Sequence, residues 1–157
     1  MNIQQRLRRL EEKIGVRIPL NESPQRIKEL IKPWFNKEYT VDSEGFYSTK
    51  GDVIIENWKG KQLPIKFKYV DGNFHCTQLG LETLEDCPEI VGGDFVCLTN
   101  NLTSLKGAPE TVGGNFYCSD TNLTSLEGAP KIVGGDFICS HNKLTSLEGA
   151  PETVGGI

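Results

Sequence analysis

The chain has 157 residues, which allows one domain, or a small cap joined to a repeat array. Its net charge of −4 is uneven: residues 1–50 carry ten Lys/Arg and seven Asp/Glu, whereas residues 51–157 carry seven and fourteen. The acidic larger part argues against a protein that wraps nucleic acid. The sequence has no apolar run of signal-peptide or membrane-span length, so we expect a cytoplasmic protein without membrane contact.

Two amphipathic helices are predicted at the N-terminus. Residues 2–14 place four apolar side chains on one stripe, namely Ile3, Leu7, Leu10 and Ile14. A second helix should start with Ser23 as its cap and end near Lys32, because Pro33 follows. Two short strands, residues 39–41 and 46–47, should flank a turn and lead into the array. We interpret residues 1–45 as an α-helical cap on the first coil of the array.

A repeat of 21 residues organises the chain from residue 46 to residue 157. Three residue types recur on this period without slippage: Phe74, Phe95, Phe116 and Phe137; Cys76, Cys97, Cys118 and Cys139; Leu84, Leu105, Leu126 and Leu147. A fixed period in the twenties is typical of a solenoid, whose units bury their apolar sides by stacking on one another. Residues 51–70 align at the same offset as a degenerate first coil, so we expect about five coils.

The unit G-x-x-F-x-C-x-x-N-x-L fits the leucine-rich-repeat template, with Phe and Cys replacing two leucines. Its F-x-C core alternates with period two and should be a short strand of a parallel sheet. Phe95 and Cys97 would then point inward, and Val96 outward. The predicted fold is therefore α+β, a short leucine-rich-repeat-like β-solenoid with an N-terminal α-helical cap.

The rest of the unit predicts how each coil returns. Asn100 and Asn142 fall at the template's asparagine, where a side-chain amide can satisfy backbone groups as the strand turns away. Leu102 and Leu105 lie three residues apart and should point into the core. Residues 107–109, Gly-Ala-Pro, should form a tight, non-helical convex side.

The repeat strings LTSLEGAPKIVGGDFICS and LTSLEGAPETVGG resemble the leucine-rich-repeat proteins of tailed bacteriophages. KQLPIKFKYVDGNFHC and the following CPEIVGGDF resemble the start of such an array, so the resemblance covers about residues 46–157. It implies a small cytoplasmic product of an infected bacterium, and it implies no reaction, because the family has no single agreed biochemical role. NNLTSL is also similar to the repeats of bacterial effectors; those that are ubiquitin ligases carry a separate catalytic domain, for which this chain has no room.

Cysteines and histidines are the residues in which a metal site or an enzyme would first be sought. Four of the five cysteines recur at inward positions and the fifth, Cys87, lies in a loop, with no C-x-x-C pair to hold zinc. We therefore expect reduced, buried thiols without a metal or cofactor. His75 and His141 lie three coils apart and neither has a nucleophile in the sequence pattern, so we expect no enzyme.

The outward strand positions are the predicted partner-binding site. They combine a row of mostly apolar or aromatic side chains with polar neighbours, namely His75, Asp94, Val96, Leu98, Asn115, Tyr117, Ser119, Asp136 and Ile138. A contiguous apolar patch with a polar rim indicates an interaction site, although small open sheets also show scattered apolar residues. The leading hypothesis is a non-catalytic protein–protein interaction module: a phage protein that binds and modulates or inhibits a host protein, such as a defence component.

Two alternative functions stay open. The basic face of the first helix, with Arg6, Arg8, Arg9 and Lys13, could serve a nucleic-acid-associated regulator, or be only a solvated face. A self-assembling structural protein is the other alternative, because Gly155 and Gly156 should open another coil and the sequence stops at Ile157. An uncapped coil would expose unpaired backbone and associate with its own copy, as in a homodimer, unless the chain is truncated there.

Overall fold

A computed structural model describes Gln5, Arg9, Lys28, Glu29 and residues 31–157. Most of the two predicted N-terminal helices lies outside the described residues, so the α-helical cap stays a prediction. Within the described part, the helical backbone at Ile31 is followed by a 3₁₀ turn at Lys32–Trp34. Proline lies in the first turn of this element, as its missing N–H allows.

Residues 31–157 form a parallel β-solenoid with two sheets. In chain order the strands are β1 Tyr39–Val41, β2 Phe46–Thr49, β3 Val53–Ile54, β4 Lys66–Val70, β5 Phe74–His75, β6 Ile90–Val91, β7 Phe95–Val96, β8 Thr111–Val112, β9 Phe116–Tyr117, β10 Ile132–Val133, β11 Phe137–Ile138 and β12 Thr153–Val154. Sheet A has the order β11-β9-β7-β5-β3, and sheet B has the order β1-β2-β4-β6-β8-β10-β12.

The entry to the array is the predicted strand–turn–strand unit. Strands β1 and β2 pair antiparallel around a turn in which Gly45 has φ of 81°. Every other strand pair is parallel, starting with β2 against β4. The prediction of two short strands leading into the solenoid is therefore confirmed.

Each 21-residue coil contributes one short strand to each sheet. Within a coil, β6 ends at Val91, Gly92 and Gly93 turn the chain, and β7 begins at Phe95. Strand partners lie 21 residues apart, as in the pairing of Phe95 with Phe116. The predicted parallel solenoid of about five coils, including a degenerate first coil, is confirmed. Sheet B was not predicted, because only a single sheet was expected from the F-x-C strands.

Identical side chains stack between coils to form the core. The rings of Phe74, Phe95, Phe116 and Phe137 are stacked with centroids 5.5, 5.1 and 5.3 Å apart and interplanar angles of 4, 11 and 13°. The predicted inward positions are fully buried in the middle coils, namely Cys76, Cys97, Cys118, Leu84, Leu102, Leu105 and Leu126. Leu147 is 72% exposed because a neighbouring coil covers the last coil on one side only.

The Gly-Gly pair is set by the close approach of successive coils. A Cβ at Gly113 would collide with the carbonyl oxygen of Gly92, and one at Gly134 would collide with that of Gly113. Any side chain at these positions would force neighbouring coils apart. The repeated glycines therefore serve packing between coils.

Asn100 joins two coils as predicted. Its side chain is buried, and Oδ1 accepts the backbone N–H groups of Leu79 and Leu81 at 3.1 and 3.0 Å. Its Nδ2 donates to the carbonyl oxygens of Cys76 and Cys97 at 2.8 and 3.0 Å. One side-chain amide thus provides hydrogen-bond partners for backbone groups at the end of the strand, which would otherwise be buried without them.

Candidate functional site

The outward columns of sheet A form the surface that the sequence predicted as a binding site. The central column follows the strand register and contains Ile54, His75, Val96, Tyr117 and Ile138. One flanking column contains Asp52, Asn73, Asp94, Asn115 and Asp136, and the other contains Glu56, Thr77, Leu98, Ser119 and Ser140. We call these three columns the strand face. All nine predicted partner-binding residues lie on it.

Two of the predicted contact residues offer little surface to a partner. Val96 is only 8% exposed, and it lies in the column between the larger rings of His75 and Tyr117. Ser119 is 6% exposed, and its Oγ lies 2.9 Å from Oγ of Ser140 in a hydrogen bond. Both residues lie at the outward strand positions that the sequence predicted, but packing between neighbouring coils leaves little of either side chain accessible.

Tyr117, Ile138, His75 and Leu98 keep partial exposure, and Ile54 is 46% exposed. Tyr117 and Ile138 are direct partners in the sheet register, so their side chains lie side by side on β9 and β11. Behind them, the stacked rings of Phe116 and Phe137 support the same two strands. Tyr117 and Ile138 therefore form a partly exposed aromatic and aliphatic pair above the phenylalanine stack.

The residues of the predicted polar rim also form hydrogen bonds between coils, which the sequence did not predict. Oδ1 of Asp94 accepts the backbone N–H of Asn115 at 2.7 Å, and Oδ1 of Asn115 accepts that of Asp136 at 2.8 Å. Oδ1 of Asp136 then accepts the backbone N–H of Ile157 at 3.0 Å. One side-chain oxygen of each residue is thus engaged between coils, which leaves its second polar atom for a partner.

The same ladder continues toward the N-terminal end of the solenoid. Oδ1 of Asn73 accepts the backbone N–H of Asp94, and Oδ1 of Asp52 accepts that of Asn73. Asn36 begins the ladder, because its Oδ1 accepts the N–H of Asp52 at 2.6 Å while its Nδ2 donates to Oδ2 of Asp52 at 2.7 Å. The signal that could have predicted this ladder is an Asn or Asp after the Gly-Gly position in every coil.

Charges are distributed unequally around the coil. The strand face carries four carboxylates, those of Asp52, Glu56, Asp94 and Asp136, and its columns contain no Lys or Arg. Lysines elsewhere pair with glutamates across adjacent coils, in the ion pairs Lys61–Glu82 at 2.8 Å, Lys106–Glu127 at 3.2 Å and Lys131–Glu110. The strand face is therefore acidic, whereas three glutamates of other columns are paired with lysines of adjacent coils.

The alternative basic face lies mostly outside the described residues. Arg6, Arg8 and Lys13 are not described, and Arg9 is exposed. Within the described part of the chain, a cleft of about 710 Å³ is lined by residues of mixed charge, namely Lys28, Glu29, Lys32, Phe35, Asn36, Lys37, Glu38 and Tyr39. Three lysines and two glutamates line this cleft, so its charge does not strongly favour anions or cations.

The five cysteines are free thiols, and four of them are buried. Burial raises the pKa of Cys87 and of Cys97 well above the usual thiol value, so neither is a nucleophile at neutral pH. Among the described residues, no three His, Cys, Asp or Glu side chains are grouped to hold a metal ion. No helix in this part of the chain has the length and hydropathy needed to cross a membrane.

Comparison with known proteins gives no relative: no protein-family model, no curated protein and no solved structure matches this chain. The geometry and composition of the strand face are therefore what support a function.

Proposed function

We propose that this protein is a non-catalytic protein-binding module that uses its strand face. The observation that supports this proposal is the partly exposed pair of Tyr117 and Ile138, aligned on a sheet and rimmed by polar groups. Tyrosine is enriched at the energetic centres of protein interfaces, where it combines apolar area with a polar hydroxyl. An isoleucine beside it extends the apolar area that a partner can cover.

The strand face is also ordered before a partner binds. Its strands are held in register by hydrogen bonds to both neighbouring coils, and the phenylalanine stack lies directly beneath them. A surface that is already ordered loses little conformational entropy when a partner docks. Rigid presentation of a few side chains is the way in which solenoids commonly bind proteins.

The charge of the strand face favours a protein over a nucleic acid. Electrostatic binding to the phosphate backbone depends on Lys and Arg, and the strand face has carboxylates and neither of these residues. A complementary partner would bring apolar side chains to Tyr117 and hydrogen-bond donors or basic groups to Asp94 and Asp136. The resemblance to phage proteins adds a setting: the partner would be a protein of the infected host, such as a defence component, that is inhibited or redirected.

The test is affinity capture from a bacterial lysate at moderate salt, with bound proteins identified by mass spectrometry. We would compare wild type with Tyr117→Glu/Ile138→Glu, which charges the strand face. The matched control is Ile90→Glu/Ile132→Glu, which makes the same change at two positions of sheet B that are 44 and 47% exposed. Circular dichroism would establish that all three are folded.

We expect a protein that wild type and the sheet B control retain and that the strand-face variant loses. Equal retention by all three chains would rule out the strand face. Retention of nucleic acid alone, with steep loss at higher salt, would favour the basic face of the first helix. A mass that grows with concentration would favour self-association.

A further inference from the structure

A column of residues with left-handed backbone borders the strand face. Directly after the flanking column of sheet A, every coil has a residue with left-handed backbone: Asn57, Gln78, Thr99, Asp120 and His141, with φ of 59, 56, 54, 54 and 53°. We call this set the turn column. Left-handed backbone suits glycine and is tolerated by Asn, Asp and His, whereas it is strained for Gln78 and most of all for the β-branched Thr99.

At another turn of the coil, the residues with left-handed backbone are glycines. At the convex turn, Gly107, Gly128 and Gly149 have φ of 88, 85 and 85°. At that turn a Cβ would also strike the backbone of the preceding coil, as at Gly107 against Leu84. The turn column has space for side chains but contains no glycine in any of its five coils.

Folding does not explain the side chains of the turn column. All five are exposed, so they add nothing to the core. Among residues 31–157, the side chains of Gln78 and Thr99 form no hydrogen bond that would offset the backbone strain, and Nδ1 of His141 lies 3.7 Å from Oδ1 of Asp120, with both side chains exposed. At Gln78 and Thr99, a strained backbone that carries an exposed polar side chain points to a function for that side chain.

We propose that the turn column is the specificity-determining edge of the protein-binding surface. This inference rests on the proposed function of the strand face. Thr99, Asp120 and His141 directly follow flanking residues of that face, so a partner bound there would also reach them. Each coil places one polar group there, an amide, hydroxyl, carboxylate or imidazole, and the column contains no Lys or Arg. Its occupant is a protein surface rich in hydrogen-bond donors, Lys and Arg included, that continues beyond the apolar contact at Tyr117.

The test replaces strained side chains with the residue that the backbone prefers. The probe is the purified protein that wild type retains and Tyr117→Glu/Ile138→Glu loses, titrated by calorimetry into wild type and Gln78→Gly/Thr99→Gly. Thr103→Gly is the control, because it removes another exposed threonine from a position without left-handed backbone. Thermal unfolding of each chain is measured without the probe.

We expect Gln78→Gly/Thr99→Gly to melt at a higher temperature than wild type and to bind the probe about tenfold more weakly. Thr103→Gly should leave affinity unchanged and gain no stability. An unchanged or lower melting temperature for the double variant would show that these side chains do not oppose folding, which would overturn the inference. Wild-type affinity in the double variant would exclude the turn column and leave the strand-face proposal standing. If wild type retains no protein, both proposals fail.

Discussion

Oδ1 of Asp94 accepts the backbone N–H of Asn115 at 2.7 Å, so a side chain of one coil binds the main chain of the next. The ladder that contains this bond alternates strictly between amide and carboxylate, in the order Asn36, Asp52, Asn73, Asp94, Asn115 and Asp136. Neighbouring coils lie about 4.8 Å apart at their strands. Because amides and carboxylates alternate, neighbouring carboxylates lie two coils apart instead of one. Every residue of the ladder still provides an oxygen that accepts a hydrogen bond.

Asn115→Asp should lower the free energy of unfolding by about 1–2 kcal/mol at neutral pH and low salt, because three carboxylates would then lie on successive coils. Repulsion would raise their pKa values in the folded state, so the loss should be present above about pH 4 and should vanish as pH falls below it. Urea unfolding at pH 7 and pH 3, with and without salt, measures this. Asp94→Asn keeps the acceptor and removes a charge, so it should cause no loss; an equal deficit of Asn115→Asp at both pH values would contradict the repulsion.

Asn100→Ala should cost about 2–4 kcal/mol, because it leaves buried N–H and C=O groups of two coils without partners. Thr121 occupies the equivalent position one coil later, and its hydroxyl lies 2.7 Å from Oδ1 of Asn142. Thr121→Asn would extend the amide contacts and should gain about 1 kcal/mol. Chemical denaturation measures the free energy of unfolding of both variants. If Asn100→Ala were as stable as wild type, water would have replaced the hydrogen bonds of the amide.

Phe116→Ala should cost about 3–5 kcal/mol, because it removes a fully buried ring stacked on Phe95 and Phe137. The loss should stay local, since a solenoid is stabilised mainly by contacts between neighbours. Hydrogen exchange should show lost protection in β7, β9 and β11 and retained protection in β1 and β2. Uniform loss of protection along the whole chain would show that the solenoid unfolds as one unit.

Thr99→Gly should raise the free energy of unfolding by about 0.5–1 kcal/mol, because relief of left-handed strain exceeds the entropy that glycine adds to the unfolded chain. Gly107→Ala should act in the opposite direction and cost about 2–4 kcal/mol, because its Cβ meets the backbone of Leu84 and Glu85. Melting temperatures of both variants show whether each substitution stabilises or destabilises the fold. Equal effects of the two substitutions would refute the distinction between these turns.

Cys139 should be the first thiol to be alkylated in the native protein. Burial raises the pKa of Cys97 and of Cys118 strongly, whereas Cys139 is only partly buried and its pKa is raised less. Timed iodoacetamide labelling followed by mass spectrometry should show Cys139 modified well before the other two. Denaturant should then equalise the rates, and faster labelling of Cys97 in the native state would contradict the buried thiol ladder.

The sequence by itself determined the solenoid and its inward residues. Coils that stack in register place each residue against its copy 21 positions away, so the period alone predicts that Phe95 meets Phe116. Alternation around Phe95 was then enough to assign Cys97 to the core and Val96 to the outward column. These inferences needed no tertiary detail because local pattern and stacking agree.

Only the tertiary structure decided the second sheet, the Asn/Asp ladder, the turn column and the cover over Val96. Strands as short as Ile90–Val91 have no periodicity of their own, and they form because hydrogen bonds join them to neighbours 21 residues away. The bond from Asn115 to Asp94, the strain at Thr99 and the 8% exposure of Val96 likewise depend on the packing distance between coils. A one-dimensional pattern specifies which residues meet, whereas the space left between them is set by the folded chain.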